Sequence, residues 1–213
     1  MYPVRYEADY AEEQSRAITF FRLILAIPWY IVWQVYLLAA QIVAFLAWFA
    51  ILFTGRYPEG LHKFNAGVLR FQGRANAFFY LQTDKWPSFG FEDDVSYPIR
   101  VEVDPPLPKY NRWKTAFRLI LAFPVYFIGT LMAYMFLLAS SIAWFHIVFM
   151  GRSSGGIHNA LTTGIAYTQR ATAYLLLLTE TIPPVSDQAP APNMEPGAGA
   201  ATRLGAPQSE PAA

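Results

Sequence analysis

No charged residue occurs between Leu23 and Thr54, a run of 32 residues, and the run from Leu119 to Met150 repeats that length with His146 as its one histidine. Each run clears the roughly 18 residues that a transmembrane helix needs. With 54% apolar, 17% aromatic and only 15% charged residues among 213, the chain has too few polar helices or strands to cover two such stretches inside a soluble core. The expectation is a mainly α-helical integral membrane protein, placed in the cell membrane as a multi-pass chain.

The two runs belong to one duplication. "FRLILAIP" at Phe21 returns 96 residues later as "FRLILAFP" at Phe117. At the same offset "AWFAILFTGR" at Ala47 returns as "AWFHIVFMGR" at Ala143, and "RANAFFYLQTD" at Arg74 as "RATAYLLLLTE" at Arg170. Chance matching of apolar letters would not preserve the arginines, glycines and prolines, so the chain is two tandem copies of one module. The expected division is module 1 over 1–87, module 2 over 88–183 and a tail over 184–213. That tail is rich in proline, alanine and glycine without one aromatic residue, and is expected to be disordered.

Each module opens with alternation at period two: Val4, Tyr6, Ala8 and Tyr10 against Arg5, Glu7 and Asp9, then Tyr97, Ile99, Val101 and Val103 against Arg100, Glu102 and Asp104. These read as short strands. A helical stretch follows, interrupted by Pro28 and Pro124, with Trp29 to Phe53 and Val125 to Phe149 long enough, at about 37 Å, to cross a bilayer. Gly55 and Gly151 read as left-handed caps, and second helices are expected over 61–83 and 157–179. The first of these carries Leu61, Phe64, Val68, Phe71, Ala75 and Phe78 in one sector, with Lys63, Arg70 and Arg74 opposite.

Whether the second helices span or lie flat is open from sequence. If they span, the two modules point the same way and their strands can meet in one sheet, which favours two membrane hairpins with Ser96 on the same side as Tyr2 and Ser153 on the other. The acidic, mixed-charge segment before the first run does not read as a cleavable signal.

The phrases "FRLILAIP", "AWFAILFTGRYPEGLHKFNAGVLR" and "LQTDKWPSFGF", followed by a new "YPIRVEVD", resemble the bacterial membrane proteins grouped as domain-of-unknown-function family 4389, over roughly residues 2–183. The resemblance implies an integral membrane placement and carries no catalytic residue across. "FMGRSSGGI" replaces "FTGRYPEGL" in the second module, so the two copies are not expected to be equal in function.

Two sets of candidate site residues stand out. Gly55, Arg56, Gly60 and His62, matched by Gly151, Arg152, Gly156 and His158, place a guanidinium beside a helix start, which suits phosphate of an anionic lipid headgroup or simply anchors a helix end. Arg74 and Arg170 in the second helices, with Arg22 and Arg118 just before the prolines, are basic residues of the membrane or its interface; the latter two are expected to snorkel to phosphates. No catalytic residue, cofactor or metal site is expected, since the three histidines have no carboxylate or cysteine at ligand spacing and the chain has no cysteine. The net charge of +1 gives no sign of a polyanionic partner, and no nucleic acid is expected. The function these features suggest is a non-enzymatic accessory or scaffold component of a membrane complex, touching the bilayer, anionic lipid and other membrane proteins or itself; the alternative is a transporter or channel for an anionic or amphiphilic solute.

Overall fold

The computed structural model describes residues 2–11, 13–92 and 96–185. The tail expected from 184 lies, from residue 186 on, outside them. In chain order the elements are β1 (Val4–Ala8), α1 (Arg16–Leu25), α2 (Ile27–Thr54), α3 (Glu59–Phe79), β2 (Ile99–Val103), α4 (Arg112–Ala116), α5 (Arg118–Met150) and α6 (Gly155–Leu175).

Local chemistry sets the boundaries. Ser15 caps α1 by accepting from the Ile18 N–H, and Asn111 caps α4 by accepting from Trp113 and Lys114. The chain bends at Ala26, two residues ahead of Pro28, as a proline near a helix start requires. In the second copy the break comes at Phe117 instead, and Pro124 remains inside α5. The expected interruption at Pro124 is thus corrected: a long helix survives the loss of one backbone bond. Gly55 and Gly151 are the expected left-handed caps, at φ 72° and 73°.

The strands pair antiparallel, Val4 opposite Val103, Tyr6 opposite Val101 and Ala8 opposite Ile99. Their inner face buries Val4, Tyr6, Ile99 and Val101. On the outer face Arg5 reaches Glu102 at 2.9 Å and Arg100 reaches Asp9 at 2.8 Å. This sheet rests on α3 and α6, β2 over α3 and β1 over α6. Gly73 permits the approach, since a Cβ there would collide with Val101.

Beneath the sheet α3 and α6 form a middle layer, and beneath them lie α2 and α5. In α3 fourteen residues are buried, from His62 to Phe78, on every side of the helix. The amphipathic helix expected at this position, with one apolar and one basic side, is therefore a central one, close-packed through Ala66, Gly67, Gly73, Ala75 and Ala77.

The two copies are related by an approximate two-fold whose axis is perpendicular to the helices. Gln72 donates to Thr172 and Gln82 to Thr162, so α3 and α6 run antiparallel. Tyr36 packs on Phe71 and Tyr30 on Phe79, which makes α2 antiparallel to α3; Phe136 lies on Gly164 and Tyr167 on Val125, which makes α5 antiparallel to α6. Hence α2 and α5 are antiparallel to each other. Parallel hairpins would place Ser96 at the same end of the molecule as Tyr2 and opposite Ser153, and the observed ends are arranged otherwise. Lys85, just past α3, donates to the Ser96 carbonyl, while Gln14 bonds both the Leu81 and Gly151 carbonyls and so ties the end of α3 to the end of α5. Ser96 and Ser153 share that end of the molecule, and Tyr2 bonds the Thr181 carbonyl at the other. Paired strands were expected to require parallel modules. An antiparallel pair instead demands a two-fold that reverses every helix.

Candidate functional site

The arginine turns split into an outward and an inward half. Arg56 and Arg152 are exposed, as are Gly60 and Gly156, whereas His62 and His158 are buried. Tyr57 explains the inward turn of His62: its ring packs edge-on to the imidazole at 5.2 Å, and its hydroxyl accepts from Asn65 and donates to the Leu176 carbonyl. His158 packs edge-on to Tyr10 and lies 3.4 Å from the Ala8 carbonyl. Burial, with the Arg70 guanidinium adding to it, holds His62 down to about 4, and burial likewise lowers His158. Both imidazoles are neutral at pH 7. They brace the ends of the middle layer, and the six residues do not converge on one anion.

A different arginine covers each glycine cap, and it comes from the other copy. Arg112 lies over Gly55 and Arg16 over Gly151. Backbone bonds reinforce the exchange, from Tyr110 N–H to the Gly55 carbonyl at 2.9 Å and from Gln14 N–H to the Gly151 carbonyl at 3.3 Å. Beside the second turn is an open groove of about 450 Å³ that brings Arg16 and Arg152 together with Glu13. Sequence reasoning missed Arg16 and Arg112, although their spacing of 96 was the available signal.

The four basic residues assigned to the membrane or its interface are consumed internally. Arg22, 3% exposed, donates to the Phe78 and Thr83 carbonyls at 2.7 and 3.0 Å and pairs with Asp84. Arg118 donates to the Tyr174 and Thr179 carbonyls, with its guanidinium 3.6 Å from the centre of the Tyr174 ring. These are equivalent positions in the two copies, and each arginine satisfies carbonyls left open where α3 or α6 ends. The expected snorkelling of Arg22 and Arg118 is corrected, because both forks point into the protein. Arg74 donates to Glu92 and Gly90, and Arg170 to Pro184, each fastening the segment that follows its helix.

The outward face of α2 and α5 is apolar. Leu23, Phe53, Leu119, Phe123 and Phe149 are between 73% and 86% exposed. Only Ala40, Ala44, Ala47 and Ile51 of α2 are buried, one narrow stripe. With mean hydropathy of 2.3 and 2.0, α2 and α5 are long and apolar enough to cross a membrane.

The matched segments, residues 16–90 and 112–186, coincide with the helical part of each copy. The chain belongs to the family described as Domain of unknown function (DUF4389), in two tandem copies. The strands at Val4–Ala8 and Ile99–Val103 fall outside both matches. Comparison with curated proteins and with solved structures returns no match.

Proposed function

We propose that this DUF4389 protein is a non-enzymatic accessory or scaffold component of a membrane complex, embedded by its α2–α5 layer and presenting its sheet to water. The observation that carries the reading is the direction of the layers. β1, β2, α3 and α6 run alongside α2 and α5, so helices standing along the membrane normal would hold the ion-paired face of Arg5, Arg100, Glu102 and Asp9, with both open sheet edges, at bilayer depth. Lipid-exposed sheet edges and charged faces, even ion-paired ones, are strongly unfavourable there. Laid flat, the same molecule sorts by polarity: a single helix layer of about 10 Å enters a leaflet of about 15 Å, and the charged sheet faces water.

In this orientation Arg56 and Arg152, at opposite ends of the slab, sit at one depth and contact anionic headgroups. Arginine forks onto phosphate where lysine offers a point charge. Native mass spectrometry of Arg56→Lys should therefore show loss of retained anionic lipid in a protein that still folds, and retention equal to wild type in an Arg56→Ala, Arg152→Ala double variant would leave these side chains as helix-end anchors only.

A second reading, a multi-pass transporter or channel for an anionic or amphiphilic solute, is favoured by the antiparallel copies, since inverted repeats build many transporters. Labelling separates the two. The chain has no cysteine, so Ser96→Cys at one end and Glu59→Cys at the other give single sites. A flat protein labels at both from the same side of sealed vesicles; labelling of the two from opposite sides establishes spanning helices and overturns the flat orientation.

A further inference from the structure

Between α2 and α5, with α3 and α6 beneath, lies a cleft of about 290 Å³. Its floor is polar and symmetric: Gln72 and Asn76 of α3 stand beside Thr168 and Thr172 of α6, which are the equivalent positions in the two copies. Its walls are largely apolar, with Val125 and Phe136 from α5 and Trp33 from α2, whose buried indole N–H has no partner among the described residues, and the exposed Tyr126 and Thr130 mark its rim on the apolar face. Gln72 donates to Thr172 at 3.3 Å and Thr168 to the Gly164 carbonyl at 3.0 Å. Asn76, only 7% exposed, has no side-chain hydrogen-bond partner among the described residues although it lines the cleft. A primary amide carries two donors and an acceptor, and leaving them unmatched under an apolar mouth is costly.

We infer that this cleft binds an uncharged amphiphile, a hydroxyl- or ester-bearing head seated on Asn76, Gln72 and Thr172 with an apolar chain leaving between α2 and α5. Three features choose this ligand class. The lining holds no Asp, Glu, Lys, Arg or His, so a charged head would be desolvated without a counter-charge. The side-chain amides lie at the bottom and mostly apolar walls stand above them, the reverse of a site that displays a head to water. The volume holds about ten water-sized groups, too little for a partner helix about 10 Å across. The proposal rests on the flat orientation for the source of its ligand, yet binding in detergent solution does not depend on that orientation, so the labelling above and the following measurement can fail separately.

The test is native mass spectrometry of the full chain in a non-ionic detergent, titrated with monolauroylglycerol, with sodium laurate at pH 8.5 and with dodecyltrimethylammonium. One monolauroylglycerol per chain is expected, held at least tenfold more tightly than either charged analogue. Gly129→Leu fills the cleft from α5, where an added Cβ meets only Tyr167 at 3.8 Å, and should reduce that binding tenfold or more. Asn76→Leu keeps the volume, removes the floor amide and should erase the preference over laurate. Thermal unfolding without ligand checks that both variants fold; if Gly129→Leu does not, Thr130→Trp at the exposed rim takes its place with the same expected loss of binding, and the comparison of the three head types on the wild-type chain stands without Asn76→Leu. Equal binding of the three head types, or wild-type binding by the folded blocking variant, overturns the inference, as does a stoichiometric protein helix found in the cleft.

Discussion

The indole N–H of Trp48 donates to the Thr115 carbonyl at 2.8 Å, and Trp144 donates to the Thr19 carbonyl at 3.1 Å. Each bond joins the long helix of one copy to the entry segment of the other. The copies therefore exchange their entry helices, α1 onto α5 and α4 onto α2, and neither copy completes its own surface.

Replacement of Trp48 by Phe retains most of the ring and removes the donor, while the Thr115 carbonyl keeps its bond from the Phe117 N–H, so the cost is that of one hydrogen bond, about 0.5–1.5 kcal/mol. The same change at Trp144 should cost about as much. Because the two bonds lie at opposite ends of the molecule, the double variant should show nearly the sum. Denaturant unfolding of the three variants in detergent measures this; no loss in either single variant would show that the exchange is held by packing alone.

Arg22 carries a larger share, since it serves two carbonyls and Asp84 from a site that is 3% exposed. Arg22→Met leaves all three acceptors behind and should destabilise by about 3–5 kcal/mol. Arg22→Lys keeps the charge without the planar fork and should still lose about 1–3 kcal/mol. The prediction is checked by unfolding, and it fails if lysine restores wild-type stability.

Much of this architecture was legible in the sequence because its signals are local or periodic. The offset of 96 revealed the copies, Gly55 and Gly151 marked two helix ends, and period-two alternation marked both strands. The direction of α5 relative to α2 was not legible, because duplication is equally compatible with parallel and reversed copies until the strand pairing is known. Nor were the roles of Arg22 and Arg118. Their partners are carbonyls that become available only where α3 and α6 end, and those ends are built on leucine, a residue that carries no capping signal.

Acid should destabilise the protein before its carboxylates titrate. His62 is held down to about 4 in the fold against an ordinary value near 6.5. Between those values the unfolded chain binds a proton that the folded chain does not, so stability rises with pH, is fully present above about 6.5 and is lost progressively as pH falls toward 4. His158 adds to the effect in the same direction. Nε2 of His62 has no hydrogen-bond partner among the described residues, so His62→Phe keeps the ring against Tyr57 and removes the titration. The variant should flatten the dependence of unfolding midpoint on pH by about one proton over this window; an unchanged slope would assign the acid sensitivity elsewhere.

Leu81 and Leu177 stand at equivalent positions with φ of 63° and 64°, in the left-handed region where glycine is the usual helix terminator. The turn they make is a helix-ending one: the Gln82 N–H bonds the Ala77 carbonyl at 2.9 Å and the Leu178 N–H bonds the Ala173 carbonyl at 3.0 Å. Strain of about 1–2 kcal/mol at such a residue is offset by burial of the side chain, since Leu81 packs with Phe136, Ile147 and Leu161 and is 4% exposed. Leu81→Ala keeps the strained backbone and loses the packing, for an expected cost of about 2–5 kcal/mol. Leu81→Gly loses the same packing but relieves the strain, so it should be the milder substitution by about 1 kcal/mol, the opposite of the order found inside helices. Unfolding of the two variants decides the matter: if alanine proves as stable as glycine or more so, the left-handed conformation is not a stored strain at this site, and leucine is held there by packing without opposition.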